Sequence, residues 1–229
     1  MSIWKAFLFT FLFMAFDAIM YVVFVSPFEI GILSYEFNLY ATMQLLSKIT
    51  FYLLFWFLFL HKYTKLHLTK EIKIDFLSIL LLLILSFSLF LFNRLFFDLY
   101  DTYIANNTRF IMPDEYKKEF SENPLFLYLL GIIGPLIIAP ICEELVFRKY
   151  LFSKLLTNNN YIYSLIISSV CFALIHLPNY KNIVPTLFLG LSCAIILYRS
   201  EKIIYSIVFH FLYNFHITLN KIFYTDFRM

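Results

Sequence analysis

Residues 74 to 97 read IDFLSILLLLILSFSLFLFNRLFF, an apolar run interrupted by charge only at Asp75 and Arg94. A segment that crosses a bilayer as a helix needs roughly 20 mainly apolar residues, because its backbone groups find no water to bond in hydrocarbon. Working outward from this run, comparable windows lie at about 3 to 25, 38 to 60, 124 to 140, 161 to 177, 183 to 198 and 203 to 220. The whole chain of 229 residues is 62% hydrophobic and 21% aromatic but only 14% charged, too apolar for one soluble core and too poorly charged for a disordered or nucleic-acid-binding chain. The net charge of +3 adds little to that. The expected fold class is all-α, a polytopic integral membrane helical bundle. The apolar run after Met1 to Lys5 is overlong for a signal peptide and has no small-x-small cleavage site, so it reads as a retained first span.

Pro140 is expected to kink or start a helix, since proline removes a backbone donor. Residues 140 to 156 then form either the continuation of the fourth span or a further, partly immersed helix, and the count becomes seven or eight transmembrane helices. Lys and Arg concentrate in short cytoplasmic loops. Lys62, Lys65, Lys70 and Lys73, then Arg148, Lys149 and Lys154, then Arg199 and Lys202 fall on one side if seven spans alternate, which makes the N-terminus cytoplasmic. An odd count leaves the C-terminus outside. The longest polar stretch, Asp98 to Asn123, divides the chain into an N-terminal three-helix segment over 1–97, a polar loop over 98–123 and a C-terminal membrane domain over 124–220.

Ionisable groups inside spans are expensive to place there, and each is a candidate for function. The C-terminal block holds three sets. In the first, Pro140-Ile141-Cys142-Glu143-Glu144-Leu145-Val146-Phe147-Arg148, Glu144 and Arg148 are four apart and share a helix face, whereas Glu143 points about a quarter-turn away. Arg148 is therefore expected to neutralise Glu144 and leave Glu143 free. The second set ends in His176, four residues after Phe172; in the third, His210 and Asn214 share a face. A turn at Asn158 to Asn160 would fold the first two sets into an antiparallel hairpin with Glu143 and His176 level. His210 and Asn214 come about 12 and 18 Å up the last helix against about 24 Å for His176, a difference that an extension of residues 148 to 160 beyond the membrane would absorb. One carboxylate, two imidazoles and an amide round a cavity suffice to activate water and stabilise an oxyanion. Glu143 is expected to be the general base with His176, Glu144 and Arg148 a structural pair, and His210 and Asn214 donors to the developing oxyanion.

Elsewhere, Lys48 and Arg94 read as snorkelling or helix-pairing groups, and Asp17 is balanced between structure and function. His216 reads as structural or interfacial; His61 and His67 lie in a basic loop. Cys142, Cys171 and Cys193 sit in apolar stretches without metal-ligand spacing and read as small buried hydrophobes.

At these residues the chain resembles the CPBP family of intramembrane proteases, also called the CAAX protease and bacteriocin-processing or Abi family. The family shows Glu-Glu-x-x-x-Arg, Phe-x-x-x-His and His-x-x-x-Asn/Asp in that order, matched by Glu143-Glu144 with Arg148, Phe172 with His176, and His210 with Asn214. The resemblance covers about residues 124 to 217. It implies an all-helical membrane enzyme, an intramembrane endopeptidase acting on a membrane-associated protein or peptide in the lipid bilayer. Eukaryotic relatives remove the last three residues of prenylated CaaX proteins; bacterial ones are linked to bacteriocin maturation, immunity and envelope regulation, which with the Lys-, Asn-, Ile- and Phe-rich composition points to a bacterial cell membrane. Two mechanisms fit the residue types. One is metal-free, with water activated by Glu and His; the other uses one zinc ion held by Glu143, His176 and His210, although no His-Glu-x-x-His pair on one helix is present. Rival readings are a non-catalytic immunity protein or a scaffold for a membrane sensor kinase, and a small transporter, which usually shows an internal repeat not seen here.

Overall fold

The structure, a computed structural model, describes residues 2–24, 43, 46–47, 49–54, 57, 76–103, 133–177 and 182–226. Among the described residues all regular structure is helical. We label the helices α1 (Ile3–Phe24), α2 (Phe76–Tyr103), α3 (Gly134–Leu156), α4 (Tyr161–Leu174), α5 (Ile183–Ser200) and α6 (Ile203–Asp226). Residues 49–54 form a further helical segment.

The distribution of side chains on α2 shows why the bundle belongs in lipid. Leu82, Ser86 and Asn93 recur at helical spacing and are buried, whereas Leu77, Leu81, Ile84, Leu85, Leu91 and Leu95 are exposed. The polar members of the inner stripe meet α6: Ser86 Oγ lies 3.2 Å from His216 Nε2, Asn93 donates to the Tyr213 hydroxyl, and Arg94 Nη1 is 3.5 Å from Asn220 Oδ1. Polar groups inside and leucines outside would aggregate in water, but this is how helices associate where lipid supplies no hydrophobic drive between them. The window Phe76–Phe96, with mean hydropathy 2.5, and Ile183–Ser200, with 1.7, are long and apolar enough to cross a membrane. Of the two readings for Arg94, snorkelling or helix pairing, the contact with Asn220 fits the second, and His216, read as structural or interfacial, lies against Ser86 of α2. Asp17 is half-buried on α1, and Lys48 lies outside the described residues.

α3 and α4 form the expected hairpin. The Asn160 side chain caps α4 by accepting from the Tyr163 N–H at 2.8 Å, and Asn159 Nδ2 donates to Leu155 O at 2.8 Å, so the chain reverses with its helix ends satisfied. The Phe147 and Phe172 rings meet edge to face at 5.5 Å, consistent with the register that sets Glu143 level with His176. Small residues let α5 close on α4: a Cβ at Gly190 would sit 3.2 Å from Phe172 Cδ1 and 3.3 Å from Ser169 Cα. α1 joins the same core through Phe13, whose ring contacts Phe147 at 5.4 Å and Phe51 at 4.7 Å.

One expectation needs correction and one alternative is decided. Helix α2 does not stop at residue 97 but continues to Tyr103, since a helix's internal hydrogen bonds need not end where its sequence turns polar. At Pro140, where either a continuation of the fourth span or a further helix was expected, the structure has one helix running through the proline. α3 is π-helical over Gly134–Ile138 and again over Glu144–Phe152, so residues 140 to 156 are a continuation. The Ala139 N–H reaches back five residues to Gly134 O. In that register residue 140 would serve Pro135 O, which a proline cannot do, and Asn214 Nδ2 donates to Pro135 O instead at 2.8 Å. Most of the windows at 38 to 60 and 124 to 140, and the loop from 104 on, lie outside the described residues, so the number of spans does too.

Candidate active site

The two adjacent carboxylates of α3 have different surroundings. Glu144 is fully buried and its oxygens are occupied: Arg148 Nε lies 3.4 Å from Oε2, the Ser206 hydroxyl donates to Oε2, and His210 Nδ1 is 3.0 Å from Oε1. The Arg148 guanidinium, also fully buried, stands 4.6 Å above the Phe172 ring, and its three nitrogens make no hydrogen bond with described residues. The ion pair and the aromatic face are what hold this cation away from water. The expected Glu144 to Arg148 pairing is therefore present, and it is part of a larger network that ties α3 to α6.

Glu143 points elsewhere. Its Oε1 accepts from the Tyr52 hydroxyl at 3.1 Å, and its Oε2 is 3.8 Å from His210 Nε2. His210 thus lies between the two carboxylates, with one ring nitrogen directed at each. His176 falls just beyond the end of α4 in the turn of residues 175–177, half-buried, with Nδ1 3.1 Å from Phe172 O. A carbonyl oxygen only accepts, so Nδ1 carries a proton, and in the neutral ring Nε2 is the nitrogen with the lone pair. Asn214 uses one amide N–H on Pro135 O, which leaves its second N–H for another acceptor.

Phe172 explains why an aromatic residue precedes His176 by one turn. Its buried ring lies edge on to His176 at 5.2 Å and to His210 at 5.8 Å, with Phe147 and Arg148 on its other contacts. One side chain therefore sets the spacing of both imidazoles and covers the guanidinium. The three sets of polar groups do converge, because the imidazole of α6 reaches the same ring as the imidazole at the end of α4.

Three side chains at the site were not anticipated. Ser206 lies one turn before His210 and shares its face with Asn214, so its spacing was a usable signal. Cys193 was read as a small hydrophobe. It is buried, but its Sγ lies 3.9 Å from Ser206 O, at the edge of the Glu144 network. Tyr52 is one of 17 tyrosines in the chain and carries no local signal at all.

Among the described residues, the ligand-type atoms that cluster within 4.8 Å of one another belong to Glu144, Cys193 and His210, a different set from Glu143, His176 and His210. This trio does not suit a zinc ion. Both Glu144 oxygens already accept hydrogen bonds, and a guanidinium stands 3.4 Å away where a dication would add to the positive charge. Glu143 Oε2 and His210 Nε2 are 3.8 Å apart, and neither Glu143 nor His176 is in the cluster.

Residues 125–216 match the Rce1-like family, described as type II CAAX prenyl endopeptidase Rce1-like. The chain is also 27% identical over 99 residues to a protein of Bacillus subtilis (strain 168) described as "Putative membrane peptidase YdiL". That stretch is 43% of this chain and 38% of the relative, so the chain spans well under half the length of the curated relative it matches. No solved structure matches the chain. The matched segment contains all three motifs and the side chains that meet around Phe172. On that ground residues 125–216 are similar to the CAAX proteases of the Rce1-like family, and the likeness is carried by that segment of the chain.

Proposed function

We propose that the protein is a membrane-embedded endopeptidase that hydrolyses a peptide bond of a membrane-associated substrate, with water activated by Glu143 and His176. The observation that carries this reading is the unequal treatment of the two glutamates. Glu144 is committed to Arg148, Ser206 and His210, whereas Glu143 keeps Oε2 for a water. In the proposed step Glu143 takes a proton from water as its oxygen adds to the scissile carbonyl carbon, and His176 Nε2 accepts a hydrogen bond from the same water. The carbonyl oxygen gains negative charge, which His210 and the second N–H of Asn214 stabilise. For His210 Nε2 to donate while Nδ1 donates to Glu144, the ring must carry both protons. As the C–N bond breaks, the proton held by Glu143 passes to the leaving amine, and carboxylate and products are restored.

The test uses the purified protein in liposomes with fluorogenic peptides anchored by a farnesyl group or by an acyl chain, beside the same peptides unanchored. Cleavage of an anchored peptide, identified by product mass and lost in Glu143→Gln, supports the reading. Failure of the wild type to cut any anchored peptide would sink it. The two anchors also separate a prenylated substrate from other membrane peptides.

His210→Ala should lower turnover by about 10²- to 10³-fold with little change in KM, the loss typical of one oxyanion donor. Metal analysis run beside the assay completes the comparison. An active wild type that holds substoichiometric zinc and survives chelation is the expected result; one equivalent of zinc that disappears in His210→Ala would replace the oxyanion role with a ligand role.

A further inference from the structure

We infer that Tyr52 is a positioning residue for Glu143, contributed by the N-terminal part of the chain outside the family-matched segment. The inference rests on the proposed protease function. A glutamate carboxylate rotates freely about its last torsion, because that sp³ to sp² bond has broad, roughly two-fold preferences. A single donor is enough to select one orientation. The Tyr52 hydroxyl donates to Oε1 at 3.1 Å, and that orientation turns Oε2 towards His210 Nε2 at 3.8 Å, leaving Oε2 as the oxygen available to act as base. The donor is itself held. The Tyr52 ring packs on Phe51 at 4.9 Å and on Phe13 at 6.4 Å, and Phe13 lies against Phe147 of α3, one turn beyond Glu143. Glu143 and Tyr52 are thus fixed from the same aromatic cluster, so the hydroxyl follows the carboxylate rather than meeting it by chance.

The N-terminal helices consequently have a task beyond anchoring, since they complete the environment of the base. Residues 125–216 alone would present Glu143 with its Oε1 unassigned. Misplacement of a reacting group by about 1 Å can cost on the order of 10²-fold in rate, so loss of the hydroxyl should be read in turnover.

The experiment compares Tyr52→Phe with wild type in the full chain, in liposomes, on the anchored fluorogenic peptide that wild type cleaves. Phenylalanine keeps the ring packing and removes only the hydroxyl. A fall in kcat of roughly 10- to 100-fold with KM within about 2-fold is expected. An unchanged kcat, or a loss confined to KM, overturns the positioning role. A second measurement does not depend on activity: Tyr52→Phe should lower Tm in the wild-type background and should not lower it further in Glu143→Ala, where the hydroxyl has no acceptor to lose. Equal Tm losses in both backgrounds would overturn the contact itself. Should wild type cleave none of the peptides, the protease function fails and positioning with it, while the thermal comparison still decides whether Tyr52 and Glu143 are bonded.

Discussion

Glu143→Gln is expected to lower peptide hydrolysis by about 10²- to 10⁴-fold, the usual contribution of a positioned general base, in a protein that still inserts and unfolds near the wild-type temperature. The amide is nearly isosteric and still accepts from the Tyr52 hydroxyl, so the packing round it survives. What it cannot do is take a proton from water. His176→Ala should produce a loss of similar kind, because its Nε2 lone pair accepts from the same water while its Nδ1 is tied to Phe172 O at 3.1 Å. Rates from the anchored-peptide assay, with thermal unfolding in detergent as the control for folding, check both. Full activity in either variant would remove that residue from the water-activating pair. A loss of activity that tracks a loss of Tm would instead mark it as structural.

How far the sequence foretold this arrangement depends on the range of each interaction. The separate surroundings of Glu143 and Glu144 were legible because helix periodicity alone puts Arg148 beside one and not the other, and the ion pair at 3.4 Å agrees. The hairpin was legible too, since Asn158 to Asn160 is a polar turn between apolar runs and the contact of Phe147 with Phe172 has the register that such a turn gives. Ser206 could have been found by the same periodicity, being one turn before His210. Tyr52 could not. Its bond to Glu143 joins residues 91 apart, and nothing in a hydropathy window distinguishes a tyrosine that faces a carboxylate from one that faces lipid. The π-helical register of α3 was hidden for a different reason. Apolar patterning reports which face is buried, not whether a carbonyl is bonded four or five residues on, so it left residues 140 to 156 open between a continuation and a further helix, and the widened turn with Asn214 shows how the continuation accommodates Pro140.

Breaking the buried pair beside the base should be read in stability, and here the network makes the expected order specific. Arg148→Met leaves the Glu144 carboxylate in the core with the Ser206 hydroxyl and His210 as its remaining donors, a loss of about 3 to 5 kcal/mol for an ion pair stripped of one partner. Glu144→Leu should be the more damaging single change, because it strands Arg148, whose three nitrogens have no other hydrogen-bond partner among the described residues, and also releases Ser206 and His210. The double variant, Glu144→Leu with Arg148→Met, removes both charges together and should lose less than the two singles combined, with a coupling of about 0.5 to 3 kcal/mol. Thermal unfolding of the four proteins in one detergent measures this, and additive losses would mean that the 3.4 Å contact contributes no pairwise stability. The double variant should nevertheless be a poor enzyme. His210 keeps its ring between α4 and α6 through Phe172, yet without Glu144 nothing fixes the proton on Nδ1, so orientation of Nε2 towards the substrate oxygen is lost even where the fold is retained. Adjacent glutamates on one helix would then separate cleanly by readout, with Glu143 governing the rate of a stable protein and Glu144 governing the stability of the site in which that rate is possible.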